Sequence, residues 1–275
     1  MSLALRGVTL VHADGSPALA DLDLALRQGE QVALIGPSGA GKTSLLRLLA
    51  TGLRPVAGQL ELLGQEPWSL GNRARRQLRA RIGLIHQAPP LPARQRVITA
   101  VLAGRLGQWS LARSLVSLVH PLDRAGAAAA LAPLDLADRL YASCDQLSGG
   151  QLQRIGIARA LYQQPQLLLA DEPVSAMDPV LAAHTLEVLS DAAARQGTTL
   201  VTSLHNVELA LQRFPRILGL RAGRLLWDKP ASAVTPADLA ALYANEGLST
   251  TLQPAAPAPA PAPAPAETPL DLPRC

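Results

Sequence analysis

Eight consecutive residues, Gly36-Pro37-Ser38-Gly39-Ala40-Gly41-Lys42-Thr43, bring glycines, a lysine and a hydroxyl together at the spacing G-x-x-x-x-G-K-[ST]. Glycines allow successive backbone N–H groups to turn inward around phosphate oxygens, and a helix opening at the lysine adds its partial positive charge. Lys42 would then reach the terminal phosphates of a nucleotide, Thr43 would offer its hydroxyl to Mg²⁺, and Ser44 continues the nucleotide-binding run. The plain alternative is a Gly-rich turn before an ordinary helix, and the complete string argues against it. Farther along, Leu167-Leu168-Leu169-Ala170-Asp171-Glu172 is an apolar strand that ends in two acids. Acids after a strand are commonly solvated, but at the carboxyl end of a buried parallel strand they would stand beside the phosphate loop. Asp171 suits the Mg²⁺ shell, and Glu172 is placed to polarise an attacking water as general base.

A second anion site is written into Leu147-Ser148-Gly149-Gly150-Gln151, which precedes an expected helix from Leu152. Ser148 and the N–H groups of Gly149 and Gly150 would sit at that helix start, where negative charge is favoured. A nucleotide has a single γ-phosphate, so two such sites in one chain point to a second subunit's nucleotide at the second of them.

The elements that must position these groups can be read from the apolar runs. Leu3 to Val11 and Leu22 to Leu26 alternate as strands around the turn Ala13-Asp14-Gly15-Ser16-Pro17. Gln31 to Ile35 reads as a buried strand running into the glycine loop, and Leu45, Leu46, Leu48 and Leu49 form a helical stripe after it. Strand-sized apolar runs recur at Gly83 to Ile85, Leu167 to Ala170, Thr199 to Thr202 and Ile217 to Leu220, with helical patterns between them. That order predicts an α/β fold with a largely parallel sheet. From Ile98 to Leu140 the chain is Ala- and Leu-rich without β-branched strand runs, which predicts an inserted helical subdomain, bounded at about Ala88 and Leu161.

Taken together these motifs resemble the ABC ATPase family, whose signature is the Leu-Ser-Gly-Gly-Gln string. The resemblance covers about residues 2 to 247 and implies a P-loop NTPase core with a mainly parallel sheet, an antiparallel β subdomain and the inserted helical subdomain. By the same resemblance Gln87 occupies the Q-loop position, touching Mg²⁺ and the attacking water, and Ser175-Ala176-Met177-Asp178 is similar to the D-loop at the dimer interface. His205 matches the switch histidine at the γ-phosphate. Lys42, Gln87, Glu172 and His205 are thereby implied as the catalytic set, and Thr43, Gln87 and Asp171 as the metal ligands. Ser148, Gly149, Gly150 and Gln151 would serve the nucleotide of a second copy. His12 stands where the family often stacks an aromatic ring on adenine, and imidazole offers less area for that. The stretches Val101 to Gly107, Arg113-Ser114-Leu115, Asp123-Arg124 and Thr235 to Tyr243 are closest to ATPase subunits of phosphonate importers. Such a subunit takes ATP and Mg²⁺, pairs with itself and with integral permease subunits, works indirectly with a substrate-binding protein, and sits peripherally on the cytoplasmic face of the inner membrane.

Composition narrows the alternatives. In 275 residues, 48% are hydrophobic, which excludes wholesale disorder and leaves ample material for a core. No apolar run reaches membrane-spanning length, and no basic segment followed by an apolar core marks a secretion signal at Met1. Cys144 and Cys275 are too far apart for a disulfide framework. The +4 net charge is mild, yet no Asp or Glu occurs between Pro67 and Leu122 while nine arginines do. A solvated helix face, anionic lipid, an acidic partner and nucleic acid all fit that bias, but only Trp109 interleaves the arginines, so nucleic acid is the poorest fit. Arg76 and Arg79 are the residues expected to seat the chain on permease or lipid. Exporter engines remain a rival, as do importers of other small anions; soluble non-transport ABC ATPases fit less well because there is one ATPase unit and no coiled coil. A non-hydrolysing regulator is disfavoured by the presence of Glu172 and His205. After the ATPase domain expected at 1–248, residues 249–275 form a Pro/Ala-rich tail expected to be disordered, in which alternate residues lack an N–H.

Overall fold

A computed structural model describes residues Met1–Ala244. The expected Pro-Ala tail, and the last four residues of the expected domain, lie outside the described residues. In chain order the regular elements begin with β1 (Leu3–Val11), β2 (Pro17–Leu26), β3 (Gln31–Ile35), α1 (Lys42–Leu49), β4 (Ala57–Leu62), α2 (Asn72–Arg79) and β5 (Ile82–Ile85). A helical stretch follows: α3 (Val97–Leu102), α4 (Leu111–Val119), α5 (Arg124–Leu131) and α6 (Gly149–Gln163). The chain then alternates through β6 (Leu167–Asp171), α7 (Pro179–Gln196), β7 (Thr199–Ser203), α8 (Val207–Arg213), β8 (Arg216–Arg221), β9 (Arg224–Pro230) and α9 (Pro236–Tyr243).

Two sheets result. One is antiparallel and three-stranded, in the order β2-β1-β4; the other has six strands in the order β5-β6-β7-β3-β8-β9, parallel except where β9 runs against β8. The parallel strands read as unbroken apolar runs because both faces are covered. In β3, Val32 and Leu34 face one core with α1 and the antiparallel sheet, whereas Ala33 and Ile35 face the other, with α3 and α5 to α8. β6 divides in the same way, Leu167 and Leu169 to the first core and Leu168 and Ala170 to the second.

Local chemistry sets the helix ends. Asp178 caps α7 by accepting from the Leu181 N–H at 3.0 Å, Pro179 occupies the first turn, and Gly197 ends the helix at φ 62°. The helical insertion agrees with the sequence expectation, except that the boundary expected at Leu161 falls inside α6, which continues to Gln163. β2 starts at Pro17, a residue expected in the turn; as the first residue of an edge strand, proline loses no ladder hydrogen bond. Several arginines of the acid-free stretch hold structure together. Arg79 donates to the Thr51 hydroxyl (2.7 Å) and carbonyl (2.9 Å), so it is committed within the fold and is a poor choice as a membrane contact. Arg75 lies over the Trp68 ring at 5.3 Å, and Arg105 over that of Tyr162 at 4.5 Å.

Candidate active site

Four neighbouring parallel strands deliver their carboxyl ends to one place. β3 runs directly into Gly36, and Gln87 follows β5 by two residues. β6 ends on Asp171 with Glu172 next, and His205 comes two residues after β7. Because β5, β6, β7 and β3 are adjacent in the sheet, these groups meet at the edge of a cleft of about 530 Å³ lined by residues 38–44, His12, Gln87, Glu172 and His205. The first sheet adds Ser16, Pro17 and Ala18 to the wall beside His12.

The loop from Gly36 to Thr43 is pressed against the neighbouring strand. At Gly36, φ is 153° and a Cβ would stand 2.0 Å from the Leu220 carbonyl oxygen of β8, so only glycine fits. Gly41 precedes α1 at φ 101°, turning the chain into the helix. Lys42 is nearly buried, and its ammonium donates to the carbonyls of Gly36 (2.6 Å) and Pro37 (2.9 Å), which folds the side chain back along the loop.

The acids are fixed by a serine that the sequence reading did not single out. The Ser203 hydroxyl donates to Asp171 Oδ1 (2.8 Å) and accepts from the Glu172 N–H (3.0 Å). Thr43 also donates to Asp171 Oδ1, at 3.2 Å. Glu172 itself has φ 47°, a conformation costly for a residue with a Cβ and characteristic of functional turns. Its Oε2 accepts from the Gln87 amide at 2.7 Å, and its Oε1 faces Nε2 of His205. A carboxylate only accepts, so in this contact Nε2 is the nitrogen that would donate. Glu172 is 11% exposed and His205 53%, so the acid is sheltered and the histidine stands at the rim. Next to Gln87 in the chain, His86 is exposed at the surface, yet partial desolvation of its ring first, then Arg47 and Arg159, push its pKa below the ordinary histidine value, against a smaller opposing pull from Asp171.

The donor set fits Mg²⁺. The Thr43 hydroxyl, the Asp171 carboxylate and the amide oxygen of Gln87 are all hard oxygen ligands. Among the described residues no group of three or more His, Cys, Asp or Glu side chains could hold a metal without help.

Ser148, Gly149, Gly150 and Gln151 do not line this cleft. They form the start of α6, where Ser148 accepts from the Gln151 N–H (3.3 Å) and the Gln151 side chain accepts from the Ser148 N–H (2.9 Å). A Cβ at Gly150 would come within 2.9 Å of the Ala176 carbonyl, so the helix start packs closely on the segment after Glu172.

One turn into α6 lies a second residue missed from sequence. Gln153 is 3% exposed. Its amide donates to the Gln87 carbonyl (2.7 Å) and the Ser175 hydroxyl (2.9 Å), and its oxygen accepts from the Ala176 N–H (3.0 Å). A single side chain thus joins the loop after β5, the loop after β6 and the helix that begins at Ser148. Leucine at this position keeps the volume and loses all three bonds, so Gln153→Leu is expected to lower the melting temperature by about 5 °C and to slow ATP turnover. An unchanged melting curve in calorimetry would show that those bonds are not made in solution.

The family model described as ABC transporter matches residues 19–175. The chain is 68% identical to the Phosphonates import ATP-binding protein PhnC 1 of Pseudomonas aeruginosa over 258 residues, covering 94% of this chain and 96% of that one. It is 61% identical to the Phosphonates import ATP-binding protein PhnC of Pseudomonas fluorescens over 277 residues, covering the whole of both. Among solved structures, the dimeric structure of MJ0796, a bacterial ABC transporter cassette, superposes with a TM-score of 0.73 at 26% identity, covering 83% of this chain and 98% of that chain. A complete phosphate loop, two acids at a strand end and a capped glycine pair on α6, carried on a fold shared with these proteins, place the chain in the ABC transporter family, where it groups with the phosphonates import ATP-binding proteins.

Proposed function

We propose that this chain is the ATP-hydrolysing subunit that energises an importer of phosphonates. The observation that carries hydrolysis is the Glu172 carboxylate, gripped by Gln87 and His205 at the lip of the phosphate-loop cleft. In this reading the N–H groups of residues 38–43 and the Lys42 ammonium hold the β- and γ-phosphates, and His12 borders the adenine. Glu172 takes the proton of the attacking water, Gln87 orients that water, and His205 meets the γ-phosphate. Bound Mg²⁺, held through Thr43, Asp171 and Gln87, would neutralise charge developing on the phosphate oxygens. None of Ser148, Gly149, Gly150 and Gln151 faces the cleft of its own chain, which supports a head-to-tail pair in which each copy closes over the other's nucleotide.

The cargo assignment is supported by the likeness to the two Pseudomonas proteins, which runs through the helical insertion as well as the nucleotide motifs. Integral permease subunits are the partners that such a subunit drives, with a substrate-binding protein acting through them. The chain would work from the cytoplasmic face of the membrane; among the described residues no helix is long and apolar enough to cross one. Uptake of a labelled alkylphosphonate by cells depending on this gene should fall to background when Glu172 becomes Gln. Equal uptake by the two strains would remove the cargo assignment.

A further inference from the structure

Strand β7 ends on Ser203, which pairs with Asp171 at the last rung of the ladder between β6 and β7. Beyond that rung the chain leaves β6 at once, because Glu172 turns to φ 47°. Its N–H finds a side chain instead of a carbonyl: Ser203 Oγ accepts it at 3.0 Å. A hydroxyl has a single proton, and here Asp171 Oδ1 takes it at 2.8 Å, which leaves an oxygen lone pair for the Glu172 N–H. Ser203 is fully buried, so bulk water does not compete for either bond.

A left-handed backbone persists in a residue with a Cβ only where its surroundings over-determine it. On the carbonyl side of Glu172 the hold is longer, the Ser175 N–H donating at 3.3 Å. Gln87 and His205, which grip the carboxylate itself, are exposed side chains. The buried serine is therefore the firm anchor of this turn. Relaxing φ at Glu172 would swing its side chain away from both partners.

We propose that Ser203 is a positioning residue for ATP hydrolysis, its hydroxyl holding Glu172 in the left-handed turn and so aiming the carboxylate at the attacking water. The inference rests on the hydrolytic reading of the site. Ser203 does not line the cleft, so it acts through Glu172 and not on the nucleotide. With alanine in its place, Asp171 would keep a second donor in Thr43, at 3.2 Å, whereas the Glu172 N–H would lose its partner. The loss falls on turnover and spares nucleotide binding.

Hydrolysis kinetics of the full chain test it. Ser203→Ala should lower kcat by about ten- to a hundredfold and leave KM for ATP within about twofold. Ser203→Cys keeps the volume but only a weak donor and acceptor, so it should be impaired too, and it carries the test if the alanine variant fails to fold. Once Glu172 is already Gln, adding Ser203→Ala should change single-turnover hydrolysis by less than about threefold, because the serine works through the side chain that is gone. Without nucleotide, the Glu172 amide should exchange its hydrogen about tenfold faster in Ser203→Ala than in the parent. A cysteine variant with the parent's kcat would reduce Ser203 to packing and overturn the proposal. So would losses that multiply in full in the double variant. A parent that does not hydrolyse MgATP would overturn the hydrolytic reading and this proposal with it; an active parent matched by Ser203→Ala would overturn this proposal alone.

Discussion

Glu172→Gln is expected to lower ATP turnover by about 10²–10⁴-fold while nucleotide binding stays close to that of the parent protein. The substitution preserves volume in a side chain that is only 11% exposed, so packing is not the cause. It replaces two acceptor oxygens by one oxygen and one NH2. At present Oε2 accepts from Gln87 and Oε1 faces Nε2 of His205. An amide can satisfy one of those donors, and turns its own N–H groups on the other. More directly, it has no basic oxygen to receive the proton of an attacking water. Affinity should survive because the phosphate contacts proposed for residues 38–43, Lys42 among them, are not touched by the change. Single-turnover hydrolysis and calorimetric titration with ATP separate the two effects, and light scattering should find an ATP-held dimer accumulating. Turnover within a few-fold of the parent would show that the proton goes elsewhere.

Gly36→Ala is expected to be among the most damaging additions of a single methyl group at the described glycines. Its Cβ would lie 2.0 Å from the Leu220 carbonyl oxygen, a backbone atom of β8, a strand held between β3 and β9 that cannot shift without disturbing its neighbours. Overpacking against fixed backbone, added to an unfavourable φ, should cost about 3–5 kcal/mol. Gly39→Ala provides the contrast. Gly39 also has positive φ, 75°, but a Cβ there meets nothing within 4 Å. That variant should fold with a loss of only about 1 kcal/mol, since a single left-handed residue is its whole burden. Urea unfolding of the two variants measures the difference. Equal stability would mean that the contact between the loop and β8 is looser than described.

What was legible in the sequence was what is local. The phosphate loop, the strand entering it and the acids at the end of β6 are each written in one short stretch whose physics needs no knowledge of the rest. Gln87 and His205 were reached only through the family resemblance, because a lone glutamine or histidine after a strand carries no signal of its own. Ser203 and Gln153 were missed because their importance is tertiary. Ser203 acts by spanning from β7 to the end of β6, and Gln153 looks like an ordinary polar helix residue until the loops it bonds are folded over it. A glutamine on the apolar side of α6 was the available clue. Strands β4 and β9 were missed for a different reason. β4 opens with three exposed residues, and β9 is an edge strand that carries Asp228 and Lys229, so neither presents a clean apolar run.

The order of strands has a mechanical consequence. Asp171, the entry to the phosphate loop and the residues leading to His205 belong to β6, β3 and β7, each gripped by a ladder on both sides. Gln87 alone leaves from β5, which has a neighbour only at β6. It is therefore the one group of the four that can be drawn back from Glu172 without tearing two ladders at once. Under the proposed function Gln87 would serve as a clutch between fuel and stroke, while the doubly paired strands behind the other three groups hold still.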